Sequence, residues 1–230
     1  MIIRWDAPGP YVVAFTTRAG GVSEGPHASL NLHGRGDDPA RVEQNRRIAC
    51  AELGLDATRL AFNRQRHTPA VHRAIAGARG EEGDGLWTDE PGLPLLALTA
   101  DCVPIAIARA NGAVPALAVV HAGWRGLAHG VIDAAVAALG NGTKAAVVGP
   151  AIGPCCYEVG PEVSALFDPA LTRGRILDLW EAAERSLRGA GVEHVERVDL
   201  CTRCNPDLFF SQRRTGQPRG SQGVLGAVAG

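Results

Sequence analysis

The stretch from Thr99 to Gly126 limits the possible folds more than any other part of the chain. Two apolar runs of strand length are joined at Ala110-Asn111-Gly112-Ala113, with Asn-Gly as the turn signal. The first run begins at Cys102 and the second ends at His121. Centring the loop between Asn111 and Gly112 sets Cys102 directly opposite His121, with Cβ atoms roughly 4.5–5.5 Å apart on one side of the sheet. A four-residue loop, Ala110 to Ala113, also moves Pro104 and Pro115 to non-hydrogen-bonded pairs, where a missing N–H costs no ladder bond. A thiol and an imidazole at that separation can share a metal ion or form a nucleophile–base pair, so the chemistry is expected here.

Composition narrows what surrounds this hairpin. At 230 residues the chain can bury a sizeable core, and 46% hydrophobic with 20% charged residues describes an ordinary globular protein. The net charge of −1 implies no overall pull toward nucleic acid or an anionic membrane. The amino terminus, MIIRWDAPGP, lacks the pattern of a signal peptide, and Asp101 and Arg109 interrupt the best candidate for a membrane span. Six cysteines without a secretory signal favour free thiols or metal ligands over a disulfide framework. A cytoplasmic location is expected.

Along the chain, Tyr11 to Thr17 reads as a strand, followed by a glycine-rich loop through Pro39. Within that loop Gly21-Val22-Ser23-Glu24-Gly25 matches G-x-S-x-G, but Pro26 and His27 follow where a nucleophile elbow needs a helix. Asp38 caps a helix that runs to about Leu53 and stops at Gly54. A short strand near Arg59–Asn63 leads to Gln65-Arg66-His67, whereas Val71–Gly80 fits strand and helix equally. Asp84-Gly85 is a turn signal. Beyond the hairpin, Leu127 to Leu139 recur at helical spacing, Lys144–Val148 is a strand, Leu177–Arg188 a helix and Val195–Leu200 a strand. From Phe209 onward a final hairpin is expected, with Arg213, Arg214 and Arg219 near its turn. Neither a repeat nor a linker is evident, so residues 1–230 are expected to form a single catalytic domain of the α/β (α+β) class with mixed strand pairing.

Catalytic zinc usually has three protein ligands and one open position, and Cys102 and His121 supply two. His67 closes a strand just before a loop. A second cysteine group, Cys155-Cys156 with Cys201-x-x-Cys204, has only one C-x-x-C knuckle and reads as buried free thiols. Arg18, Arg125 and Arg213-Arg214 are cations suited to phosphate or carboxylate. Dinucleotide and P-loop signatures are missing.

At these residues the sequence resembles a family described first as multicopper polyphenol oxidase or laccase-like, and later as purine nucleoside phosphorylase and peptidoglycan editing factor. The similar segments are TTRAGGVSEGPHASLNL at 16–32, GDDPARVEQNR at 36–46, Gln65-x-His67, TADCVPI at 99–105, HAGWRG at 121–126, GPAIGPCCYEVG at 149–160 and DLCTRCNPDLFFSQRR at 199–214. Arg66 and Gln212 depart from the family pattern, which usually has a small or apolar residue and a tyrosine there.

The resemblance implies a central mixed β-sandwich flanked by helices, similar to the cysteine-hydrolase toxins. It also implies a zinc site of His67, Cys102 and His121, with copper as the other metal to consider. It implies phosphorolysis of adenosine, inosine and methylthioadenosine, and deamination of adenosine. Expected partners are therefore a nucleoside and phosphate, with no nucleic acid or membrane, in a monomer or small homo-oligomer. Deamination fits a three-ligand zinc site most directly, because zinc activates water for attack at C6 of adenine. Asp101, beside Cys102, is then the expected proton carrier, and Arg18 and Arg125 the expected cations for phosphate. Two other readings stay open. One is a Cys–His amidohydrolase editing peptidoglycan precursors, with Cys102 as nucleophile and His121 as base. The other is a copper-dependent phenol oxidase, although seven histidines without a His-x-His pair are few for several coppers.

Overall fold

The structure is a computed structural model and describes residues 2–111 and 114–230. Its strands are β1 (Ile2–Trp5), β2 (Tyr11–Thr16), β3 (Ala61–Arg64), β4 (Val71–Arg73), β5 (Arg79–Glu82), β6 (Gly85–Thr88), β7 (Leu95–Thr99), β8 (Val103–Arg109), β9 (Leu117–Ala122), β10 (Lys144–Val148), β11 (Thr172–Arg173), β12 (Ile176–Leu177), β13 (His194–Arg197) and β14 (Gln222–Val228). The helices are α1 (Pro39–Glu52), α2 (Trp124–Ala128), α3 (Val131–Ala138), α4 (Pro161–Ser164), α5 (Leu179–Gly189) and α6 (Gln212–Thr215). Two six-stranded sheets carry the fold, ordered β1-β2-β14-β7-β3-β5 and β13-β10-β8-β9-β6-β4. Pairing is mixed, as expected for an α/β sandwich: β8 and β9 are antiparallel, whereas β10 with β13 and β4 with β6 are parallel.

Strand periodicity sorts the side chains into layers. Ala106, Ala108, Leu117 and Val119 of the second sheet meet Phe15, Leu95 and Val224 of the first in one core. The alternate residues, Ile105, Ile107, Ala118 and Val120, pack outward against α3 and α5. On the far side of the first sheet, Ala14, Leu96 and Leu225 cover Ala49, Cys50 and Leu53 at the end of α1. Strands covered on both faces read as continuous apolar runs, which is why β8 and β9 stand out in the sequence. The close approach of the sheets requires Gly149, where an added Cβ would sit 2.1 Å from a Phe15 ring carbon.

The hairpin forms with a shifted register. Pro104, not Cys102, stands opposite His121, and the ladder closes with the Arg109 N–H on Ala116 O at 2.9 Å. The connection is therefore longer than the expected Ala110–Ala113 loop, of which Gly112 and Ala113 lie outside the described residues. Pro104 still avoids a lost ladder bond: its carbonyl accepts from Gly149 N–H just after β10, and the His121 N–H points to Asp84 O. Sliding one strand by two residues preserves the side-chain face, because the strand period is two. Cys102 thus becomes a diagonal neighbour of His121 on the expected side.

Four other expectations change. Gly85 begins β6 instead of forming a turn. Val71–Gly80 resolves into the whole of β4 and the start of β5, which belong to different sheets. The helix expected over Leu127–Leu139 is broken at Gly130, whose φ of 81° lies in the left-handed region that separates α2 from α3. The carboxyl end is not a hairpin: after α6, β14 inserts between β2 and β7, antiparallel to both. Among the described residues no helix is long and apolar enough to cross a membrane.

Candidate metal centre and substrate cavity

Three segments from one end of the second sheet meet at His67, Cys102 and His121, whose ligand atoms lie within 4.8 Å of one another. His121 is the penultimate residue of β9, Cys102 immediately precedes β8, and His67 sits in the loop between β3 and β4. Cys102 Sγ lies 3.7 Å from His67 Nε2, and the two imidazole rings stack edge to face with centroids 4.8 Å apart.

Asp84 organises this group. It is buried, and its Oδ1 sits 2.7 Å from His121 Nδ1. The same oxygen accepts the His67 N–H at 3.0 Å, while Oδ2 accepts the N–H groups of Arg66 and Thr68 at 3.0 and 2.7 Å. One carboxylate therefore fixes both the ring of His121 and the loop carrying His67. It also holds His67 at φ 61°, a left-handed conformation that costs a β-substituted residue energy. Sequence reasoning missed Asp84. Its one sequence signal, an acid directly before an apolar run, is the same as that of an Asp-Gly turn.

Charge follows from these contacts. Burial pushes the Cys102 thiol up, but the His121 charge and the His67 contact outweigh it and bring it to about 6. Burial likewise opposes charge on His121, yet Cys102 and Asp84 together raise it to about 9. Burial disfavours the Asp84 carboxylate as well; the His121 bond and the loop N–H groups prevail and hold it well below the usual range. These contacts favour a thiolate beside a charged imidazole, a ligand set that can exchange its proton for a metal ion.

The donor set fits such an ion. Two imidazoles and a thiolate suit Zn²⁺ or copper, and the Asp84–His121 pair is the carboxylate–histidine arrangement that orients metal-bound histidine. Gly123 leaves room beside the donors: an added Cβ would lie 2.7 Å from His67 Cδ2 and 3.0 Å from Cys102 Sγ.

The three donors open onto a cavity of about 640 Å³. Its walls include the guanidinium residues Arg35, Arg46, Arg64 and Arg219, and among the described lining residues there is no carboxylate. Arg219 is half-buried. Desolvation lowers its pKa, and the negative charges of Asp101 and Cys102 oppose that shift. Its guanidinium is steered by Gln212 Oε1 at 2.8 Å and Ser221 Oγ at 3.1 Å, both of which also line the cavity.

The other expected site residues lie elsewhere. Arg18 does not line the cavity: its guanidinium donates to Ala28 O at 3.0 and 2.6 Å and to Pro206 O at 3.0 Å, over the Phe210 ring. Arg125 is exposed, stacked 4.2 Å from the Trp124 ring centre, and is also outside the cavity lining. Asp101 is buried, at φ 93°, with both oxygens engaged by Thr202 Oγ1 and Arg213 N–H at 2.6 Å each. Ser23 lies between Asp37 and Asn45, at 2.7 and 2.8 Å, within the glycine-rich loop. The second cysteine group is not a set of buried thiols. Cys155, Cys156, Cys201 and Cys204 converge, and only Cys201 is buried.

Residues 12–228 match the model of the family described as multi-copper polyphenol oxidoreductase laccase. The chain belongs to that family. A purine nucleoside phosphorylase of Pseudomonas aeruginosa is 37% identical, with 93% of this chain and 92% of that protein covered. One from Deinococcus radiodurans is 40% identical over 94% of this chain and 88% of its own length. Among solved structures of similar proteins, YlmD from Geobacillus stearothermophilus superposes with a TM-score of 0.89 at 32% identity, covering 98% of this chain and 94% of that one. A Neisseria meningitidis protein gives the same TM-score at 33% identity, covering 100% and 99%. Within this laccase-type family the fold is thus shared over the whole length, and curated relatives carry the name purine nucleoside phosphorylase.

Proposed function

We propose that the chain is a zinc-dependent purine nucleoside phosphorylase acting on adenosine, inosine and methylthioadenosine, with adenosine deaminase activity at the same centre. The observation that carries this reading is the pairing of the His67–Cys102–His121 donor set with a cavity lined by four arginines and no carboxylate among the described lining residues. Such a cavity favours an anion beside a neutral nucleoside. The names of the relatives support the same chemistry.

His67, Cys102 and His121 would hold the metal, which supplies Lewis acidity toward the substrate when bound. Arg219, steered by Gln212 and Ser221, holds phosphate through charge-assisted bonds. In phosphorolysis a phosphate oxygen forms a bond to C1′ while the C1′–N9 bond breaks, and its electron pair leaves with the purine, which takes up a proton. Asp101 acts as a positioning residue, since both its oxygens are already bonded and it fixes the backbone ahead of Cys102. On this reading His33, which lines the cavity, donates a hydrogen bond to the bound base. Desolvation and neighbouring arginines lower its pKa, and its Nδ1 accepts the Arg35 N–H at 3.0 Å, leaving Nε2–H to donate. The enzyme works in the cytoplasm on this reading, where its six free cysteines stay reduced.

A second reading, a Cys–His amidohydrolase, draws on the Cys102 thiolate beside His121 and Asp84. Metal analysis with product analysis separates the two. Zinc-replete protein should release ribose 1-phosphate from inosine only when phosphate is present, and inosine from adenosine without it. An acyl-thioester on Cys102 in active, metal-free protein would overturn the phosphorylase reading.

A further inference from the structure

We infer that Cys155, Cys156, Cys201 and Cys204 form a second metal site, a closed tetrathiolate centre for Zn²⁺. It is separate from the cavity donors and independent of the function proposed for them. The four sulfurs lie within 4.8 Å of one another. Cys204 Sγ is approached by two other sulfurs at once, Cys156 at 3.3 Å and Cys155 at 3.6 Å. A disulfide needs one partner, whereas a shared approach describes a common centre. With Zn–S bonds of about 2.3 Å, a tetrahedron has sulfur–sulfur edges of roughly 3.8 Å, so only small side-chain adjustments are required.

The backbone builds the two halves as turns before any ion arrives. Cys156 and Tyr157 N–H groups bond Gly153 O at 2.9 and 3.0 Å, closing the first turn. Asn205 closes the second on Cys201 O, through its backbone N–H at 3.1 Å and Nδ2 at 2.8 Å. A parallel bridge between Ala151 and Cys201 joins the turns at their base, and Thr202 N–H bonds Ala151 O at 3.0 Å. Gly153 N–H points at Cys201 Sγ from 3.3 Å, as backbone donors do toward a metal-bound thiolate. The adjacent pair Cys155-Cys156 thus replaces the second C-x-x-C knuckle that the sequence lacks.

The centre has a structural task. Thr202, inside the Cys201–Cys204 turn, donates to Asp101 Oδ1 at 2.6 Å, and Ile152 N–H holds Asp101 O at 2.9 Å. Both turns therefore grip the residue ahead of Cys102, and a zinc ion joining them would hold that segment in place.

The test is zinc stoichiometry of the full chain purified under reducing conditions. Two equivalents are expected for the parent protein, one for His67→Ala, one for Cys204→Ser, and none for the double variant. In cobalt-loaded His67→Ala protein an intense sulfur-to-metal charge-transfer band should appear and vanish when Cys204→Ser is added. If Cys204→Ser does not fold, the exposed Cys155→Ser serves the same purpose. His67→Ala protein that folds yet binds neither zinc nor cobalt would overturn the inference. So would metal-replete parent protein whose thiol titration finds these four cysteines paired as disulfides.

Discussion

The two ligand clusters of this molecule use the same soft chemistry in opposite settings. His67, Cys102 and His121 mix nitrogen with sulfur, belong to strand ends and a strained loop, and face a cationic cavity. The four thiols sit on turns with two of them exposed, and each is occupied by its neighbours. Three donors and an open side suit reaction, whereas four donors closing on themselves suit support. On the proposed reading, position relative to the cavity, not cysteine content, separates the two clusters. Asp101 is the physical link, since it precedes Cys102 and is held by Thr202 of the other cluster.

The largest expected effect is that of Cys102→Ala, which should reduce phosphorolysis to background and remove one zinc equivalent. Full turnover with unchanged zinc would erase the distinction between the clusters. Asp84→Asn comes next: with the orienting carboxylate neutralised, cavity-site zinc affinity should fall about 10–100-fold by competition with a chelator. Arg219→Ala should raise the KM for phosphate about 10–100-fold, the equivalent of a charge-assisted hydrogen bond. Arg18→Ala should leave that KM unmoved while lowering Tm, because its bonds run to backbone carbonyls.

A pH experiment sharpens the contrast further. Once zinc is removed, the thiolate of Cys102 is the favoured form above pH about 6. Its alkylation, followed by peptide mass mapping, should reach half its limiting rate there, whereas an ordinary thiol needs roughly pH 8.5. Buried Cys50, pushed up to about 12, should stay unmodified in the folded protein. The smallest effect is that of Thr202→Val, which removes one bond to the Asp101 carboxylate. A loss of about 1–3 kcal/mol in stability is expected from thermal unfolding. A rise in cavity-site zinc dissociation alongside it would show that the clusters communicate.

Local signals carried much of this protein. The apolar runs of β8 and β9 and the Asp38 cap of α1 follow from spacing and capping chemistry over a few residues. So does the shared face of Cys102 and His121, which a two-residue slip of the register leaves unchanged. The third donor, His67, entered through resemblance, since no local pattern connects it to a hairpin more than thirty residues away.

Only the tertiary structure decided the rest. Asp84 reads as a turn residue until β6 pairs with β9 and delivers its carboxylate to His121. Arg219 reaches the cavity because β14, which follows it, enters the first sheet between strands far away in sequence. The cysteine pairs meet only through the Ala151–Cys201 bridge. The physical reason is common to all three. Strand periodicity and capping are set by neighbouring residues, whereas the partners of a buried charge are set by which distant segments share a sheet.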